Sequence, residues 1–82
     1  MKVCITHIKA SEITSIIKGY LLINEEKIKF NGIAFGRIGG HNVNIKLSKK
    51  EERRLEELGY NPEEVIIKAQ RMLIEGDIEI IK

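Results

Sequence analysis

Apolar residues recur along this chain with two different periods, and the change falls near the middle. Up to about residue 47 they alternate or run in short β-branched blocks; beyond it they return every three to four positions. Residues 2–8 are predicted as a buried strand, with Val3 and Ile5 on one face and Cys4, Thr6 and Ile8 on the other. Residues 11–18 fit two readings. Ile13, Ile16, Ile17, Tyr20 and Leu21 fall at helical spacing between Ser11 as a cap and Gly19 as a terminator, which predicts a short helix. The density of β-branched residues suits a strand instead.

Residues 20–23 then read as a strand and Asn24-Glu25-Glu26 as a turn. A second strand over 27–30 alternates charge with apolar side chains. Asn31-Gly32 is the strongest hairpin signal in the chain, because a type I′ turn needs two residues that tolerate positive φ. Residues 33–38 would return as its partner strand. After Gly39-Gly40, residues 42–47 form another strand, with Val43, Ile45 and Leu47 on one face and Asn42, Asn44 and Lys46 on the other.

Two helices follow. Ser48 and Glu51 make a capping box ahead of residues 49–58, and Gly59 supplies a left-handed cap. Asn61, Pro62 and Glu64 open a second helix with a cap, a proline at the first position and a reciprocal acid. Val65, Ile66, Ala69, Met72 and Leu73 give it an apolar stripe down to Gly76. Residues 77–82 alternate and are predicted to add a terminal strand. The fold class expected is therefore α+β: a small, mainly antiparallel sheet in the N-terminal half, then two helices and that closing strand. It divides into a strand-rich basic part (1–41), a strand–helix–helix part (42–76) and the tail (77–82).

The 82 residues suffice for one domain. So short a chain buries a modest share of its surface, which makes a homodimer a reasonable expectation. One cysteine, Cys4, cannot form an internal disulfide. No apolar run reaches the roughly 20 residues that span a bilayer, and Lys9 interrupts the N-terminal apolar stretch where a signal peptide would continue. A cytoplasmic protein is expected. Many Ile, Lys and Glu, with Gln70 the one glutamine, fit a thermophile. Net charge is +2, but its distribution is uneven. Residues 1–47 hold seven basic and three acidic side chains; residues 48–82 hold seven basic and nine acidic. The halves are thus about +4 and −2, a polarised surface suited to a polyanion on the basic side.

Residues 42–75 resemble the ribbon–helix–helix family of repressors and antitoxins. A short alternating strand (42–47) precedes a capped helix ending in Leu58-Gly59. A capped turn at Asn61 then leads into the aliphatic helix through Glu64-Val65-Ile66. The resemblance implies a dimer whose strands pair into a ribbon that enters the DNA major groove. Asn42, Asn44 and Lys46 would then read base edges, since Asn can bind adenine in a bidentate way and Lys can reach guanine. It also implies that the helix start at Asn61 meets a phosphate. Arg37, Lys27 and Lys29 join the expected phosphate contacts. From the residues alone, strand 42–47 has two candidate partners: its own copy, or 33–38 of the same chain.

Other constellations carry less. Cys4 and His7, at an odd offset on a strand, would point to opposite faces, and with only His41 in reserve a zinc site lacks ligands. The glycines around Arg37 and His41 could present N–H groups to a phosphate, or simply close a hairpin loop. The charge run over 49–57 reads as a solvated helix face, and the aromatics Tyr20, Phe30, Phe35 and Tyr60 as too dispersed for a stacking platform. No nucleophile–base pair or metal set can be assembled, so neither enzymatic activity nor a cofactor is expected. The function expected is nucleic-acid binding by a small dimeric DNA-binding regulator. A protein-interaction module (antitoxin-like or a viral accessory factor) and an RNA- or ribosome-binding protein are the alternatives.

Overall fold

The computed structural model describes residues 1–35 and 42–81. Along them run β1 (Lys2–Ala10), β2 (Thr14–Ile23), β3 (Glu26–Phe35), β4 (Asn42–Lys46), α1 (Lys49–Glu57), α2 (Pro62–Glu75) and β5 (Glu79–Ile80). The strands form one sheet in the order β4-β3-β2-β1-β5, antiparallel except where β5 lies parallel to β1. The α+β architecture read from the sequence is therefore the observed one.

Two element assignments are corrected. Residues 11–18 are not helical: a turn in which both Ser11 N and Ser11 Oγ donate to Thr14 O leads into the ten-residue β2. Burial then alternates along β2, with Ile17, Gly19, Leu21 and Ile23 inward, so sheet burial outweighs a helical spacing that would bury nothing better. Asn31-Gly32 is not a turn either. The type I′-like corner is Asn24-Glu25, both at positive φ (49° and 68°), and it joins β2 directly to β3. Asn31 and Gly32 sit mid-strand, paired with Lys18 and Ile17 on one side and with Lys46 and Ile45 on the other. The predicted return strand 33–38 is thus the continuation of β3 as far as Phe35. Arg37 and the Gly39-Gly40-His41 loop lie outside the described residues.

The helices start at the caps read from the sequence, but the Glu51 carboxylate, expected to close a capping box, accepts from Lys29 N instead. Ser48 Oγ accepts from Glu51 N at 3.3 Å and Asn61 Oδ1 from Glu63 N at 2.9 Å. Gly59 and Gly76 take positive φ at the ends of α1 and α2; at the latter, Asp77 N reaches back to Met72 O. Both helices cover one face of the sheet. Leu55, Val65, Ala69 and Leu73 close over Val3, Ile5, Ile17, Leu21 and Ile28. Each fully buried Leu or Ile contributes roughly 1.5–3 kcal/mol. Val43 packs against this cluster and Ile45 within it, as the alternation in 42–47 predicted. Among the described residues, no helix lies on the opposite face of the sheet.

β1 departs from regular alternation at one point. Its register against β2 shifts between Ile5 and His7: Ile5 pairs with Gly19 and His7 with Lys18, leaving Thr6 as the extra residue of a bulge. Gly19 makes room for it, since a Cβ there would lie 2.0 Å from Cys4 O. The bulge overturns the expected orientation of Cys4 and His7. Cys4 pairs with Tyr20 and His7 with Lys18, two residues on one face of β2, so both project to the open side.

The β4 edge of the sheet is met by helix side chains at two points. Where β4 ends, β3 continues, and Lys29 N donates to Glu51 Oε2 at 3.1 Å. Arg54 braces that carboxylate at 3.5 Å, donates to Lys27 O and pairs with Glu26. Glu51 is only 7% exposed, an exception to the solvated charge run expected over 49–57, in which Lys49, Lys50, Arg53, Glu56 and Glu57 are exposed. Further along, Ile45 N on β4 donates to Gln70 Oε1 of α2 at 3.0 Å.

Candidate nucleic-acid interface

The open face is organised in cross-strand rows fixed by register. One row reads His7, Lys18, Asn31, Lys46, each opposite the next on four successive strands. Towards the β2–β3 turn it is flanked by Cys4–Tyr20–Lys29 and then by Lys2–Leu22–Lys27. On the other side lie Lys9–Ile16–Ile33–Asn44 and then Thr14–Phe35–Asn42. Strands lie about 4.8 Å apart, so the central row extends about 14 Å across the sheet. Rows on one face are two residues, or about 7 Å, apart.

The basic rows enclose a solvent-open groove of about 380 Å³ lined by Thr6, His7, Lys18, Tyr20, Lys29 and Lys46, among others. Thr6 Oγ1 donates to Lys18 O at 3.2 Å and lies 2.9 Å from His7 Nδ1, which holds the bulge and the imidazole in place. Lys27 Nζ sits 4.8 Å from the centroid of the Tyr20 ring. The Tyr20 phenol is held above its ordinary pKa, first by partial burial, then by the charge of and hydrogen bond to Cys4, and last by Glu79. Beneath it Cys4 is 2% exposed, as a small apolar filler would be.

Charge on this face is one-sided. Among the described residues, Lys9, Lys18, Lys29 and Lys46 form no salt bridge. The two carboxylates that border it are engaged, Glu79 with Lys2 at 3.6 Å and Glu51 with Lys29 N and Arg54. Four unpaired ammonium groups on one side of a thin sheet reinforce one another's field, which favours a polyanion.

Of the residues singled out from the sequence, Asn42, Asn44, Lys46, Lys27 and Lys29 share this face. Asn61 does not join them. Its side chain caps α2 and lines a separate depression with Asn24 and Tyr60 near the β2–β3 turn, where Glu64 also lies. Arg37 lies outside the described residues. Lys18, Asn31, His7 and Thr6 were missed. Reading 14–23 as a strand would have placed Ile16, Lys18 and Tyr20 on one face; the bulge that adds Thr6 and His7 leaves no sequence signal.

β4 pairs with β3 of its own chain, which settles its inner partner. Among the described residues, no group of three or more His, Cys, Asp or Glu could hold a metal ion, and no helix is long and apolar enough to cross a membrane. In comparisons with protein-family models, curated proteins and solved structures, no family, relative or fold neighbour matches this chain.

Proposed function

We propose that this protein binds nucleic acid through the open face of its sheet. One observation carries the reading: among the described residues, Lys18, Lys29 and Lys46 form no salt bridge and stand in adjoining rows on a face that no helix covers. Lysines held this way neutralise phosphates and displace the cations condensed on the nucleic acid, and that release drives association. Asn31, Asn42 and Asn44 add donors and acceptors that can meet sugar or base edges.

The finer form, a dimeric DNA-binding regulator of the ribbon–helix–helix kind, would place β4 beside its own copy. That arrangement requires Ile45 N to exchange Gln70 for a partner strand. The open face needs no such exchange and is the better-supported surface.

Fluorescence anisotropy of labelled oligonucleotides at increasing salt tests the proposal. Affinity should fall steeply with salt, and Lys18→Ala, Lys29→Ala and Lys46→Ala should each reduce the slope of log K against log salt by about 0.7–0.9. Asn61→Ala should leave binding unchanged. Absence of binding to any nucleic acid at low salt, or binding that is indifferent to the three lysines, would overturn it.

A further inference from the structure

We infer that the occupant of the open face is a single strand of nucleic acid, lying along the rows with its phosphates on the lysines and its bases on an apolar shelf. The inference rests on the nucleic-acid reading above and narrows it. Three observations converge on it.

The first is width. A B-DNA major groove is about 12 Å across, whereas the four strand axes of the central row alone span about 14 Å. The face therefore cannot enter a duplex groove. A two-stranded ribbon could, but α1 and α2 occupy the outer edge with Glu51 and Gln70.

The second is what lies beside the lysines. Ile16, Ile33 and Phe35 are exposed by 45%, 44% and 53% in the two rows next to the central one. A second groove, of about 300 Å³, runs between Ile16, Ile33 and Lys46 and joins the apolar row to the basic one. A duplex presents phosphate and sugar outward and keeps its base faces stacked inside, so it offers nothing to this shelf. A single strand offers both chemistries side by side, with phosphate and base separated by one sugar, across rows about 7 Å apart. Bases rest on such surfaces whatever their sequence, because every base has a flat apolar face.

The third is the margin. Asn42 pairs with Phe35 and Asn44 with Ile33, so an amide stands at the β4 end of each shelf row. There it can meet the edge of a base whose face lies on the apolar side chain.

Anisotropy titrations with a labelled single-stranded oligodeoxynucleotide, an oligoribonucleotide of the same sequence, the two corresponding duplexes and inorganic polyphosphate decide the matter. At least one single strand should bind about tenfold or more tightly than either duplex or polyphosphate. Phe35→Ala should weaken single-strand binding about tenfold without changing the salt slope, while Lys18→Ala should lower the slope. Phe35 is exposed, and circular dichroism of that variant should match the parent. Duplex binding as tight as single-strand binding, or polyphosphate binding equal to either, would overturn the inference; the former would leave nucleic-acid binding standing. Binding to none of the five probes would remove both.

Discussion

Ile45 donates its backbone N–H to the side-chain oxygen of Gln70 at 3.0 Å, so the edge strand of the sheet ends in a helix side chain and not in a bare amide. Edge strands with free N–H groups invite pairing with other chains. Here α2 supplies an acceptor to β4, and α1 supplies one, through Glu51, to the stretch of β3 that outruns β4. The two helices thus cover the core face and also close the edge beside it. Left for a partner are the open face and the opposite edge, where β5 pairs with β1 only at Cys4 and Ile5.

Removing the Gln70 amide should leave a part-buried donor without a partner. Gln70→Ala is expected to lower unfolding free energy by about 1 kcal/mol and to produce concentration-dependent self-association through β4. Urea denaturation and sedimentation velocity measure the two effects. Gln70→Glu retains an acceptor and should show less of both. Unchanged amide exchange at Ile45 in Gln70→Ala would refute the edge-closing role.

Glu51 carries more weight, because it is charged, 7% exposed, and serves both Lys29 N and Arg54. Glu51→Ala should cost about 1.5–3 kcal/mol, the range for hydrogen bonds to a charged group. Glu51→Gln keeps an oxygen for Lys29 N and should cost about half as much. A thermal-melt series distinguishes them. Equal losses in the two variants would show that the negative charge beside Arg54, and not an oxygen accepting from Lys29 N, is what Glu51 supplies.

These two contacts also mark the limit of what was legible in the sequence. Alternation in 42–47 placed Val43 and Ile45 inward and Asn42, Asn44 and Lys46 outward, because a half-buried strand leaves a period-two imprint. Caps at Ser48, Asn61 and Gly59 were legible for a similar reason: each answers a purely local need of a helix end. Residues 11–18 admitted both helix and strand because Ile13, Ile16 and Ile17 satisfy two periods at once, and only packing against β1 and β3 chooses between them. Asn31-Gly32 was misread because its turn chemistry is local, while the paired neighbours on both sides are not. The central row of the candidate interface joins four strands, and its Thr6–His7 member depends on a bulge. Pairings of that kind are set by tertiary register and leave no periodic trace.

Two glycines of the sheet should respond in opposite ways to the same substitution. At Gly19 an added Cβ would lie 2.0 Å from the carbonyl oxygen of Cys4, a backbone atom that cannot swing aside. Gly19→Ala should therefore cost about 3 kcal/mol, at the upper end for overpacking a core, and shift the amide resonances of Thr6 and His7. At Gly32 the nearest atom to a new Cβ is Asn44 O at 3.4 Å, an ordinary contact. Gly32→Ala should change stability by less than about 1 kcal/mol, and can raise it, because alanine loses less backbone freedom on folding. Chemical denaturation of both variants is the check, and similar losses in the two would contradict the bulge geometry.

The raised pKa of Tyr20 makes a prediction with a definite sign. Its causes, in order, are partial burial, the Cys4 charge and hydrogen bond, and the charge of Glu79, and all three favour the neutral phenol. A phenol that holds its proton more tightly in the fold than in the unfolded chain contributes stability that is complete below the unfolded value of 10.0. That contribution is lost as pH rises through the higher folded value, because the unfolded state then binds fewer protons. Stability should thus begin to fall above pH 10.0, and Tyr20→Phe should flatten the decline. In a Tyr60→Phe background, phenolate absorbance reports Tyr20 alone. Its midpoint should lie above that of the unfolded chain and move downward in Cys4→Ala. A midpoint at or below the unfolded one would show that Tyr20 is solvated on the open face and not seated over Cys4.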